Sequence, residues 1–266
     1  MRSAGRPDRS RLTIPDAVRL AVGTLTAVPI PAPRRVSPTE AGRAMLLAPI
    51  AAVVPGAMAA GAVVLADLTQ LSAAVAAALA IAAAALTTRG MHLDGLADSA
   101  DGLAASFDRD RALEVMRRGD VGPTGVATLV LVLLVQFTAL TQVAGRGGAW
   151  AVLVAVVASR LAVPLACLRG VPPARPEGLG AQVAGTVGRL QLALTGAATA
   201  AAGTLVMAAA GSAWWAGGAA VLAATAASGV VVVHAVRRLG GITGDVIGAA
   251  VELAFAASLV TLAASR

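Results

Sequence analysis

Seven apolar stretches, 44–65, 71–88, 124–143, 149–168, 190–210, 214–236 and 246–263, dominate this chain. Each approaches or exceeds the ~18 residues that a helix needs to cross a bilayer. Only 13% of the residues are charged and 58% are hydrophobic, whereas about a quarter of a soluble domain is charged. Mean hydropathy is +0.81. The pattern predicts an all-α, polytopic transmembrane bundle of about seven spans and argues against a large soluble helical protein. Alanine-rich runs such as 73–85 then read as small-residue packing faces between membrane helices.

All 21 basic residues are arginine. With the N-terminus in the cytoplasm and seven spans threaded, nearly all of them lie inside; Arg146 and Arg266 fall outside, and Arg160 lies within a span. The positive-inside rule supports this orientation. The outer loops 66–70, 144–148 and 211–213 are short and almost uncharged. The net charge of +7 is therefore a matter of topology, and no nucleic-acid partner is expected. A single cysteine, Cys167, excludes an intramolecular disulfide. Residues 1–14 read as a polar tail without a signal peptide, and 15–266 as one integral membrane domain. The short apolar segment 15–29, ended by Pro29, Pro31 and Pro33, reads as an interfacial or re-entrant helix.

Chemistry should lie in the loops that carry ionisable groups. Loop 89–123 holds Asp94, Asp98, Asp101, Asp108, Asp110, Glu114 and Asp120, half of the 14 acidic residues. Asp94, Asp98 and Asp101 follow one another at i, i+4 and i+7, and on an ideal helix they point within about 60° of one another. Such like charges repel, and a hard divalent cation would turn that repulsion into binding. Magnesium commonly takes one or two protein carboxylates together with substrate phosphates. As a helix, 93–107 is amphipathic, with Leu93, Leu96, Ala100, Leu103 and Phe107 opposite Asp94, Asp98, Asp101 and Asp108. It would lie at the membrane surface or line a polar cavity with its carboxylates inward. Gly95 and Gly102 leave room for phosphate oxygens. A solvated acidic face is the plainer alternative. His92 reads equally as a ligand, a base or a structural residue.

A second constellation runs from Gly240 to Glu252. Asp245 and Glu252 are seven residues apart on one helical face, and Glu252 falls inside an apolar span, where a carboxylate is costly and marks a functional cavity or a buried pair. Gly240, Gly241, Thr243 and Gly244 form a turn whose amides could hold an anion. The alternative is a capped helix start with Glu252 paired to Arg160. Arg160 itself would neutralise either a phosphate or a membrane carboxylate.

The run from Arg89 to Gly102 resembles the signature of the cobalamin synthase family, the adenosylcobinamide-GDP ribazoletransferases. Stretches 25–31, 110–117, 177–180 and 240–252 agree with it in order and spacing. The resemblance implies a multi-pass inner-membrane enzyme of late vitamin B12 assembly, with its active site on the cytoplasmic side. Its substrates would be adenosylcobinamide-GDP and α-ribazole or α-ribazole 5′-phosphate, and it would release GMP. It implies Mg2+ as cofactor, the lipid bilayer as surroundings, and leaves a homo-oligomer open. Asp94, Asp98 and Asp101 match the metal-carboxylate cluster, with Asp245 and Glu252 carried over beside them. Arg117, Arg118 and Arg160 would supply positive charge to the phosphates. Asp101, Asp120 or His92 would take the hydroxyl proton. Relatives place an acid where Arg118 stands, and Asp120 would replace it from two residues on.

Three other readings compete. A CDP-alcohol-type membrane phosphotransferase also uses an acidic Asp-Gly helix, but Ala97-Asp98 stand where that motif has Ala-Arg. A cation transporter would use Asp245, Glu252 and Arg160 as an ion path. A non-catalytic scaffold has no reason to keep the acidic helix.

Overall fold

The structure is a computed structural model that describes residues 14–146 and 148–265. Most of the polar tail expected over 1–14 therefore lies outside the described residues. The chain begins with α1 (Asp16–Leu25), α2 (Pro38–Leu46), α3 (Ala48–Ala51) and α4 (Val53–Leu68). At ten residues, or about 15 Å, α1 is too short to cross a membrane. Its end is tied to the second span: the Arg89 guanidinium donates to the Gly23 carbonyl at 3.0 Å, and the Ala27 amide donates to that of Thr87 at 2.7 Å. The first crossing starts at Ala48 rather than at residue 44 as the sequence pattern predicts. A break at Leu47, just before Pro49, separates it from α2.

Next come α5 (Ala73–Thr87), α6 (Met91–Ala105), α7 (Arg109–Arg118) and α8 (Pro123–Ala144). Helix α5 packs along α4 and counts as a candidate crossing only together with α6. Arg89 and Gly90 both adopt positive φ, at 57° and 67°, a conformation that stops a right-handed helix. The chain turns through 89° there, and α6 lies across the end of the bundle as the expected interfacial acidic helix. It packs on α14, α8 and α7. Phe107 departs from the expected apolar face: it lies beyond the end of α6, is 91% exposed, and sits under the Arg238 guanidinium at 4.4 Å.

The chain continues with α9 (Ala149–Ser159), α10 (Ala162–Ala166), α11 (Leu179–Val183), α12 (Arg189–Ala209), α13 (Ala216–Leu239) and α14 (Gly244–Ala264). Together α9 and α10 form one crossing. It is interrupted at Arg160 because Pro164 has no N–H to give the Arg160 carbonyl four residues earlier. Among the described residues, six helical segments are long and apolar enough to span, and α5 with α6, taken as one bent span, brings the number to seven.

Small residues let these helices pack closely. A Cβ on Gly217 would fall 2.2 Å from the Gly203 carbonyl carbon where α13 meets α12. The charged loops gather at one end of the bundle. There Arg109 donates to the carbonyls of Leu239 at 2.8 Å and Ala174 at 2.6 Å, and Arg238 donates to that of Ser106 at 2.9 Å. At the opposite end Arg146 donates to the Ala263 carbonyl at 3.1 Å. These arginine contacts thus lie at opposite ends of the bundle.

Candidate active site

The site is built where α6 crosses the start of α14. A Cβ on Gly95 would lie 2.7 Å from the Asp245 carbonyl oxygen and 2.9 Å from its Cα. A Cβ on Gly248 would lie 3.1 Å from the His92 carbonyl oxygen. Backbone meets backbone at both glycines, and this contact carries Asp245 to the carboxylates of α6. Thr243 caps α14: its hydroxyl accepts from the Val246 amide at 3.2 Å and donates to the Asp245 carboxylate at 3.1 Å. Asp94, Asp98 and Asp245 therefore share one neighbourhood at the charged end of the bundle.

Their fields act on one another. Burial pushes the Asp98 carboxyl up to about 6, and the nearby Asp94, Asp245 and Asp101 charges push it the same way, against Arg175. Among the described residues, no arginine closes to within 4 Å of Asp94, Asp98 or Asp245. An uncompensated carboxyl of this kind binds its proton more tightly in the folded chain than in the unfolded one, where its value is 3.8. Folding then takes up a proton between about pH 4 and 6, and stability falls as pH rises through that window. In chelator, the wild type should lose thermal stability relative to Asp98→Asn from pH 4 to 6 and hold a constant difference above. A difference that does not change with pH would contradict this electrostatic arrangement.

Asp101 departs from the cluster. Its two oxygens accept the amides of Gly122 at 2.7 Å and Gly125 at 2.8 Å, so it closes the N-terminus of α8. Seven residues after Asp94, it is also about 10 Å further along the helix axis. Asp101→Ala should lower stability by about 1–2 kcal/mol through loss of this cap, and Asp101→Asn should recover part of it in thermal unfolding. Among the described residues no three His, Cys, Asp or Glu side chains form a ready metal cage. The glycines expected to admit phosphate serve packing instead: Gly95 receives α14, and Gly102 receives α7, where a Cβ would lie 2.3 Å from Met116 Cγ. The 240–243 turn is likewise engaged, since the Ile242 amide donates to the Pro172 carbonyl at 3.0 Å and the Ile242 carbonyl accepts the Ala174 amide at 2.9 Å. Gly244, at the first turn of α14, lies against Leu179.

Comparison with known proteins decides what this arrangement belongs to. Residues 17–263 match the cobalamin-5-phosphate synthase family. The chain belongs to that family. It is 44% identical over 249 residues to an adenosylcobinamide-GDP ribazoletransferase of a Nocardioides species, covering 94% of this chain and 99% of the relative. A protein of the same name from Frankia casuarinae is 40% identical over 259 residues, covering 92% and 93%. One from Pseudomonas savastanoi is 38% identical, covering 92% and 97%. No solved structure matches. The CDP-alcohol, transporter and scaffold readings give way to this membership.

In this cobalamin-5-phosphate synthase family chain, the remaining expected residues fall into two places. Glu252 is not beside Asp245: seven residues down α14, it lies about 10 Å deeper. It accepts from Gln136 Nε2 at 2.8 Å. Arg160 lines one small cavity with Glu252 and Gln136 but donates to Ser159 Oγ at 2.7 Å, with no carboxylate within 4 Å among the described residues. Arg160 and Glu252 thus line one cavity without forming the ion pair of the alternative reading. His92 is buried near them, and its Nδ1 has no partner. Burial, reinforced by Arg160, holds its imidazole well below the usual value, in the neutral form. At the surface, Arg118 is paired with Glu114 at 2.5 Å. Asp120 is exposed in the turn between α7 and α8.

Two residues escaped the sequence reading. Gln136 is a polar group in an apolar span, and that was its signal. Arg175 lies two residues before the 177–180 stretch and is a charged neighbour of Asp98 and Asp245. Asp94, Asp98 and Asp245 offer oxygen donors only and, among the described residues, have no arginine within 4 Å, a donor chemistry that would suit a hard divalent cation completing its shell with phosphate and water.

Proposed function

We propose that this protein joins adenosylcobinamide-GDP to α-ribazole, or to α-ribazole 5′-phosphate, and releases GMP, with Mg2+ held by Asp94, Asp98 and Asp245. The observation that carries the reading is the meeting of Asp245 with Asp94 and Asp98 at the α6–α14 crossing. It brings three carboxylates together at the end where the arginine loops gather. The names of the relatives supply the substrate class.

The reaction is a displacement at the cobinamide-side phosphorus. The ribazole hydroxyl oxygen forms the new P–O bond, and the bond to the bridging oxygen breaks with its electron pair leaving on GMP. Such transfers need positioning and charge stabilisation more than covalent chemistry. Magnesium at this site would neutralise charge on the diphosphate and on the departing phosphate. Asp94 and Asp98 of α6 would hold the cation together with Asp245 of α14, and the cation would supply charge stabilisation to the diphosphate. Asp101 keeps α8 docked on α6. Of the three groups considered for the hydroxyl proton, Asp101 is occupied by amides and His92 is buried. Asp120, exposed beside Gly119 and Gly122, takes that role in this proposal. The arginine-rich end faces the cytoplasm of the inner membrane, as the positive-inside rule requires.

The test is direct. Purified protein in nanodiscs, supplied with Mg2+, adenosylcobinamide-GDP and α-ribazole, should form adenosylcobalamin and GMP in equal amounts, and chelator should stop it. Turnover of a CDP-alcohol instead, or cation flux without any transfer, would overturn the proposal.

A further inference from the structure

The arginines around α7 divide into two kinds. Arg109 is spent on the Leu239 and Ala174 carbonyls and on Asp110 at 2.9 Å. Arg111 and Arg118 share Glu114, at 2.7 Å and 2.5 Å. Arg117 and Arg175 have no carboxylate within 4 Å among the described residues. Both line an open cleft of about 600 Å3 between α7 and the loop at Ala174–Pro176, within the size range of small-molecule sites.

Arg175 stands at the boundary between this cleft and the carboxylates. Its charged neighbours are Asp245, Arg117 and Asp98. One end of the guanidinium is anchored, with Nη2 donating to the Leu113 carbonyl at 2.9 Å. Its Nε is buried and has no partner. A buried N–H of a charged group left unmatched is costly, and a phosphate oxygen is the natural acceptor for such a fork. A carboxylate cluster thus adjoins two guanidinium groups that have no carboxylate partner among the described residues, the pairing that a metal-bound diphosphate would require.

We propose that Arg175, assisted by Arg117, contacts the GMP-side phosphate of the nucleotide-activated substrate, and that the cleft receives the departing GMP. This rests on the transfer reaction proposed above. Arg175 neutralises the charge that appears on the GMP phosphate as the bridging P–O bond breaks.

The experiment measures GMP binding by titration calorimetry in the presence of Mg2+, alongside steady-state kinetics, for wild type, Arg175→Ala, Arg175→Lys and Arg117→Ala. Arg175→Ala should weaken GMP and raise the KM for adenosylcobinamide-GDP by about ten- to a hundredfold, leaving the KM for α-ribazole unchanged. Arg175→Lys should recover only part, because a single ammonium cannot replace the fork, and added guanidinium should rescue the alanine variant. A purely structural role would move both KM values together and resist rescue. Unchanged GMP affinity in folded Arg175→Ala would overturn the inference. Should that variant fail to insert, unchanged affinity in Arg175→Lys and Arg117→Ala together does the same. A wild type that binds GMP through Arg175 but makes no cobalamin would refute the reaction and leave the cleft assignment standing.

Discussion

Asp98→Asn should lower transferase turnover by about a thousandfold, since a carboxylate-held cation supplies several kcal/mol of charge stabilisation. Asparagine keeps the shape of the side chain and removes the charge. The fold should therefore survive, and without divalent cation the variant should be the more stable form near neutral pH. Asp98 is buried, raised to about 6 and unpaired, so its ionised form is a burden on the empty fold. Loss of turnover with a gain in thermal stability is the signature of a group kept for binding. Magnesium should stabilise the wild type against heat far more than the variant. Equal stabilisation of both, with near-normal cobalamin formation, would remove Asp98 from the site.

Gly95→Val should be as damaging to activity for a wholly different reason. The new Cβ would meet the Asp245 carbonyl oxygen at 2.7 Å and its Cα at 2.9 Å. Both are backbone atoms, so neither can rotate aside, and α14 must move away from α6. Such overpacking costs roughly 1–3 kcal/mol. The larger consequence is that Asp245 leaves Asp94 and Asp98. Magnesium-dependent stabilisation should fall together with turnover, although every carboxylate is still present. Gly61→Ala on α4 serves as the comparison: nothing lies within 4 Å of its Cβ, and it should leave turnover intact. If Gly95→Val keeps full activity, the α6–α14 contact does not assemble the site.

Much of this protein could be read along the chain. The crossings α8, α12 and α14 match the apolar runs to within two residues at each end, because a bilayer demands length and apolarity that are local properties. The acidic helix is legible for the same reason, since its spacing fits a 3.6-residue period. The gathering of arginine loops at one end follows from alternation of spans.

What the chain could not disclose is which carboxylates meet. On a helical wheel Asp94, Asp98 and Asp101 are equivalent. In the folded protein Asp101 turns to the amides that open α8, and Asp245, far along the chain, comes into the neighbourhood of Asp98. Glu252 shares a helical face with Asp245 yet lies in a separate chamber with Gln136. Arg175 gains its place only because the loop carrying it folds against α7. Periodicity specifies direction around one helix axis and depth along it. Contact between helices is set by where Gly95 and Gly248 allow two backbones to touch, and that depends on the packing of residues remote in sequence.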